Sequence, residues 1–589
     1  MFINTYYNTK SSRMYVWGQE GGKDYFNEEN WVPYVFVRSS KGNIKTIDGQ
    51  HVEKKYFNSY NDYYTFCKDN YSIYENRVKP EIQYLSETYH NIEDENIRSP
   101  KLKIYSLDIE VAKGDGGFPK AEDAEAPVVL ITIWNNLTNR AITFGEKEYR
   151  GNKDTTYLHC KNEQELLRKF FSFMHKHHPH IITGWNVQNF DILYLINRSK
   201  VLFGEKNDLY KNLSPINVVR TWKTKDDKFN IDIAGVCILD YYDLYRWYTL
   251  TKLESYKLDF VSKHELDKGK LDYSEEYDTL YELYVKDWDK FVDYNIIDCK
   301  RVDELENKLG YIKLVQSLSL LTKVPMKFYN TMTHLIEGLL LVHFRRNELC
   351  APFFVGGTQK TFEAAYVKEP QKGLWSWLFS LDIQSSYPSH IISLNISTET
   401  YFGRILGLSE ERVINCIKRN EFPPFTLDKG EGIHKMEGKK LEGFNKAIKR
   451  KIFSVSPCGT LFINDKPGTI SIVERNIFEK RLKIKTKMYG AIDSRDRATY
   501  DEQKQSFSDE ASRLKSFQWA LKILLNAMFG ITAVPYSRYF NPDIAEAITS
   551  CGRYTLRMGE KYTNEIMNEP SLYSNLTDVI GKLKEEYDG

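Results

Sequence analysis

Asp108 and Glu110 stand two residues apart in KIYSLDIEVA (Lys103–Ala112). The stretch alternates as a β-strand does, so both carboxylates project from one face. Side by side they repel one another unless a cation lies between them. Hard divalent metals are the natural occupants of such an all-oxygen site. Two later segments add to the pair. GWNVQNFDILYLINR puts Asp191 just past a strand and at the start of a helix, and YNIIDCKRVDEL puts Tyr294 and Asp298 four apart on one helical face. Four carboxylates on separate elements, with a tyrosine hydroxyl, suffice to hold two metals about 4 Å apart and to activate a water for in-line attack on a phosphodiester.

A second constellation begins at SLDIQSSYPS, where Asp382 falls at the end of a predicted strand and a tight turn with Tyr387-Pro388 follows. Asp382 is suited to metals that bridge nucleotide phosphates. The backbone N–H groups of the turn and helix start, at Ser385 and Ser386, are suited to cradle a triphosphate. Further on, Gln518, Lys522, Asn526 and Gly530 recur at i+4 steps and form one stripe on a helix. Arg481 and Lys485 repeat that spacing on the preceding helix, completing with Lys522 a cationic triad that can grip phosphates. Between Lys446 and Lys487 eleven Lys and Arg face three acids. The chain's net charge of +2 conceals this basic patch, which is suited to a phosphate backbone.

D-x-E, N-x-x-x-F-D and Y-x-x-x-D, in that order, resemble the Exo I, II and III motifs of proofreading exonucleases with DnaQ-like folds. The resemblance implies metal ligation by Asp108, Glu110, Asp191 and Asp298, with Tyr294 orienting the attacking water and Asn186 and Phe190 positioning a 3′ end. SLDIQSSYPS resembles motif A of family B DNA polymerases, and LKILLNAMFG resembles their motif B. By that likeness Tyr387 packs under the sugar and rejects a 2′-hydroxyl, Lys522 and Asn526 serve the nucleotide, and Gly530 lies against DNA. The likeness runs along the whole chain and is nearest to the replicative polymerases of T-even-type bacteriophages, as in ILDYYDLYRWY, SYKLDFVSKHELDKGKLDY and YVKEP. Departures are Ser386 for leucine, Ala527 and Phe529 for serine and tyrosine, and Ala364 where a glycine turn is usual. Phe529 keeps the ring and loses the hydroxyl.

The elements needed to position these residues predict an α/β multidomain fold. It comprises a β-rich N-terminal domain (1–102), an RNase H-like (DnaQ-like) exonuclease domain (103–310) and a helical return to the N-terminal domain (311–353). An incomplete palm (354–467 and 535–589) flanks helical fingers (468–534). At 589 residues the chain is too long for one core. Its eight scattered cysteines never form C-x-x-C, which excludes a zinc module or disulfide framework and implies a reducing compartment. With no apolar run near ~20 residues, a cytoplasmic protein without membrane attachment is expected. The tract HKHHPH (His175–His180) falls at a helix end and has no adjoining carboxylate or cysteine, so a metal-binding role is set aside.

The family's third signature, Y-G-D-T-D, supplies the second palm carboxylate, and the 59 residues after Gly530 contain no D-x-D. The expected function is therefore template-directed dNTP incorporation with 3′→5′ proofreading, using Mg²⁺ or Mn²⁺, two per active site. Expected partners are primer-template DNA, dNTPs and a second polypeptide bringing motif C and the thumb, with a sliding clamp reached through that partner. Two other readings stay open: a fragment acting only as a 3′→5′ exonuclease, and a non-catalytic module binding DNA or nucleotides.

Overall fold

The computed structural model describes residues 1–568, apart from 71–72, 93–96, 98, 113–118, 152–154, 225–228, 270, 272–275, 355, 359–360 and 375–379. A six-stranded sheet lies at the centre of the first half. Its order is Thr156–His159, Arg140–Gly145, Val128–Asn135, Ile104–Val111, Ile181–Thr183 and Cys237–Ile238. Ile104–Val111 runs antiparallel to Val128–Asn135 and parallel to Ile181–Thr183. The first six residues of Val128–Asn135 are buried, because helices cover both faces of the sheet.

Leu107 and Ile109 pack toward the helices Glu163–Lys176 and Asp191–Phe203, among Phe170, Phe171 and Leu195. The opposite face, which carries Asp108 and Glu110, meets the 22-residue helix Trp288–Leu309. That helix starts under an Asp287 side-chain cap, with the carboxylate accepting from Lys290 N at 3.0 Å. It ends at Gly310, whose φ of +71° is a left-handed C-cap that glycine adopts without strain.

The helices Tyr311–Thr322 and Met332–Arg346 return the chain to its N-terminus. Leu349–Cys350 then adds a parallel strand to Ile44–Thr46, and Arg345 Nη1 donates to the buried Glu75 at 2.7 Å. The N-terminal region itself joins a three-stranded meander (Phe2–Asn8, Arg13–Glu20, Lys23–Asn30) to the helices Tyr60–Asp69 and Pro80–Tyr89. One large core runs from Phe2 and Ile82 through Leu314 and Leu340 to Phe517, Leu524 and Ile548.

The second half contains a five-stranded antiparallel sheet, in the order Ile433–Met436, Phe425–Asp428, Tyr401–Leu406, Thr460–Ile463 and Phe453–Val455. An antiparallel helical hairpin follows, Thr469–Arg497 and Asp501–Ala533, which pack on each other along much of their length. One expectation fails here. The strand predicted to end at Asp382 lies partly outside the described residues (375–379), and residues 380–383 form no strand. Backbone alternation alone does not make a strand. It needs a neighbour for its N–H and C=O groups, and no described strand runs beside 380–383.

Candidate active site

Asp108 sits mid-strand opposite Thr132. Its carboxylate accepts a 2.6 Å hydrogen bond from Asn295 Nδ2, which holds it against the helix Trp288–Leu309. Tyr294 and Asp298 come from the same helix and are buried beside it. Asp191 opens the helix Asp191–Phe203 and accepts from Ile109 N at 3.0 Å, so it is tied to the residue between Asp108 and Glu110. Burial pushes the Asp191 pKa well above the ordinary carboxylate value. Hydrogen bonds from Ile109 and its own backbone oppose that shift, while the charges of Asp240 and Glu110 add to it.

The thiol of Cys299 lies within the electrostatic reach of all four carboxylates. Burial raises its pKa well above normal, and Asp108, Asp298, Asp191 and Glu110 all raise it further. The four therefore share one electrostatic neighbourhood. Among the described residues, however, no three Asp, Glu, His or Cys side chains close around a point that could hold an ion as they stand. The donor set still fits a hard divalent cation. It is all-oxygen and mutually repulsive, with Glu110, Asp191 and Asp298 buried and Asp108 half-buried, which is the arrangement such a cation relieves.

Two contributors carry no readable sequence signal. Asn295 reads as one polar position on an amphipathic helix. Asp240 lies in ILDYYDLYRWY, where it caps the helix Tyr241–Tyr248 and accepts from Tyr242 N at 3.1 Å. Burial pushes its pKa up to about 7, against the hydrogen bonds donated by Gln188, Asn186 and Tyr242. Asn186 has a left-handed φ of +69° and its Oδ1 accepts from Asn189 Nδ2 at 3.1 Å, while the Phe190 ring packs on Tyr194 at 5.6 Å.

The second constellation is gathered in part. Ser385 takes a left-handed φ of +55° and opens the helix Ser386–Ser393. This brings the Tyr387 ring to 5.1 Å from Phe529, so the first and second motifs meet through their aromatic rings. Burial raises the Tyr387 pKa. A Cβ on Gly552 would stand 3.0 Å from that ring, so glycine leaves it room. Ser386 Oγ lies 3.3 Å from His390 Nε2.

Arg481 and Lys485 lie on one helix of the hairpin and Lys522, Asn526 and Gly530 on the other. Lys522 and Asn526 are exposed. Among the described residues, Arg481 Nε and Gln518 Oε1 are buried without a hydrogen-bond partner. Asp382 is exposed in irregular backbone and joins no carboxylate cluster. Residues 361–370 form no assigned turn; the backbone at Ala364 is held by the buried Arg553, which donates to Glu363 O at 2.6 Å and Ala364 O at 3.1 Å. In the histidine tract, burial pushes His178 down to about 4, and His180 Nδ1 accepts from Lys103 N at 3.0 Å.

The chain matches the family model described as DNA polymerase family B, exonuclease domain, over residues 59–261. It matches the DNA polymerase family B model over residues 323–587. It is 26% identical over 555 residues to the DNA-directed DNA polymerase of Escherichia phage RB69, covering 83% of this chain and 57% of that protein. With the DNA-directed DNA polymerase of Enterobacteria phage T4 the identity is 25% over 593 residues, covering 93% and 65%. With the DNA polymerase of Pyrococcus glycovorans it is 25% over 484 residues, covering 80% and 52%. The chain thus spans less than two-thirds of the length of each of these relatives. Among the described residues no helix is long and apolar enough to cross a membrane.

Proposed function

We propose, on the premise that this chain belongs to DNA polymerase family B, that it excises nucleotides from DNA 3′ ends and takes part in template-directed dNTP incorporation. The observations that support the first activity are the two hydrogen bonds that tie the elements carrying Asp108, Glu110, Asp191 and Asp298 together, Asn295 Nδ2 to Asp108 and Ile109 N to Asp191. A pair of Mg²⁺ or Mn²⁺ ions, when bound there, supplies the charge that lowers the pKa of a water and stabilises the leaving oxygen. Asp108, held by Asn295, and Asp191, held by Ile109 N, keep two ligands fixed before any metal arrives. Tyr294 orients the water, and Asn186 and Phe190 hold the 3′ end.

In the polymerase half, Asp382 is the motif A metal ligand, and Ser385, Ser386 and Tyr387 form the floor under the incoming nucleotide. Arg481, Lys485, Lys522 and Asn526 grip its phosphates, and Gly530 lies against the primer-template. The second palm carboxylate comes, on this reading, from a Y-G-D-T-D hairpin outside residues 1–589. The chain acts in the cytoplasm where the DNA is copied.

Asp108→Ala is expected to reduce Mg²⁺-dependent excision of a mismatched 3′ terminus by at least ~100-fold, and chelation of the metal to abolish it. Intact excision in Asp108→Ala would sink the exonuclease assignment. Primer extension is expected to need that hairpin and to fail in Asp382→Ala. Extension by residues 1–589 without it would overturn the reading that two palm carboxylates are required. A second reading, excision without incorporation, is favoured by the exposed Asp382 in irregular backbone. Excision that proceeds while the hairpin fails to restore extension would establish it.

A further inference from the structure

The segment ILDYYDLYRWY carries Asp240 at the start of the helix Tyr241–Tyr248. Asp240 within it is 2% exposed, and both carboxylate oxygens are engaged. Oδ1 accepts from Asn186 N at 2.9 Å and from Tyr242 N at 3.1 Å, and Oδ2 accepts from Gln188 N at 3.0 Å. One side chain thus caps the helix Tyr241–Tyr248 and grips two amides of the turn that leads into Asp191.

That turn has other ties of its own, Asn189 Nδ2 donating to Asn186 Oδ1 at 3.1 Å and Gln188 Nε2 to Phe229 O at 3.5 Å. It passes through the left-handed Asn186 and is closed by Phe190 N donating to Asn186 O at 3.1 Å. Val187 is fully buried, and its carbonyl accepts from Ile192 N at 3.0 Å. The turn therefore hands its position directly to the first residues of the Asp191 helix. Asp191 in turn binds the amide between Asp108 and Glu110. Hydrogen bonds tie Asp240 to the turn and Asp191 to the Ile104–Val111 strand, and the backbone from Gln188 to Asp191 joins the two.

We infer that Asp240 is a positioning residue for the exonuclease site: it fixes the Asn186–Gln188 turn and so sets where Asp191 meets the metal ions and where Asn186 meets the DNA end. The inference rests on the exonuclease reading above. Because its oxygens are filled by three N–H donors, Asp240 itself does not ligate.

The test uses the full chain with two substitutions. Asp240→Asn keeps the shape but presents an NH₂ where one carboxylate oxygen accepted. Asp240→Ser keeps the helix cap at Tyr242 and is too short to hold both turn amides, so the local helix survives while the grip is lost. Amide hydrogen exchange of residues 184–190, measured without metal, is expected to quicken at least ~10-fold in Asp240→Ser. Excision of a single-stranded oligonucleotide is expected to lose ~10–100-fold in kcat, with KM for DNA nearly unchanged and the half-saturating Mn²⁺ concentration raised ~10-fold. If Asp108→Ala is inactive while both Asp240 variants keep wild-type kcat and Mn²⁺ dependence, the positioning role is overturned and the exonuclease reading stands. If Asp108→Ala excises normally, the exonuclease reading fails and the positioning role falls with it.

Discussion

Glu474 is fully buried on the helix Thr469–Arg497, and among the described residues neither of its carboxylate oxygens has a hydrogen-bond partner. Burial alone holds its pKa well above the ordinary 4.5. Folding therefore takes up a proton there. The associated stability is fully present below pH ~4.5 and is lost as pH rises toward the folded-state value, at about 1.4 kcal/mol per pH unit. Glu474→Gln removes this dependence. It is expected to be more stable than the parent at pH 8 and to lose that advantage near pH 4, in urea titrations at both pH values. An unchanged difference across the range would contradict the burial argument. The opposite case is Glu75, buried and bound by Arg345, itself 6% exposed at its side chain. Glu75→Gln leaves a buried guanidinium without its main counter-charge and should cost about 3–5 kcal/mol, read from the same titrations.

Most of the residues proposed for the exonuclease site stand out in the sequence because they follow the period of their element. Asp108 and Glu110 share a strand face at i, i+2, and Tyr294 and Asp298 share a helix face at i, i+4. Asp240 was not legible, since it acts on backbone amides 52 and 54 positions away, which no spacing rule records. The strand expected at Asp382 failed for the complementary reason. A strand is a property of a pair, and a single segment's alternation does not reveal whether a partner lies beside it. The return of Leu349–Cys350 to Ile44–Thr46 is another long-range pairing of this kind, although the helices that lead to it were visible in the sequence. At the helix junction, Gly310 serves at once as C-cap of one helix and N-cap of the next. Gly310→Ala is expected to cost about 1 kcal/mol. Its effect should appear as faster amide exchange in the last turn before residue 310, while the Asp108 strand exchanges as before.

Across the whole molecule, the helix Tyr311–Thr322 touches both functional halves. Its first residue, Tyr311, follows directly on the helix that carries Tyr294 and Asp298, and its hydroxyl lies 2.6 Å from Thr249 Oγ1. The same ring stands 5.7 Å from Trp519, three residues before Lys522 on the hairpin, and Tyr248 completes the cluster at 5.8 Å from Tyr311 and 6.4 Å from Trp519. Trp519→Ala removes one ring from this cluster and should destabilise the protein by about 3 kcal/mol, seen as a lower urea midpoint. Neither Tyr311 nor Trp519 carries a catalytic function in the proposed mechanism. In genetic terms, that makes the pair a place where alleles altering the two proposed activities should arise without touching either proposed site. Suppressors of a lesion at Trp519 are expected to map across the contact, to Tyr311 and Tyr248, rather than along the hairpin.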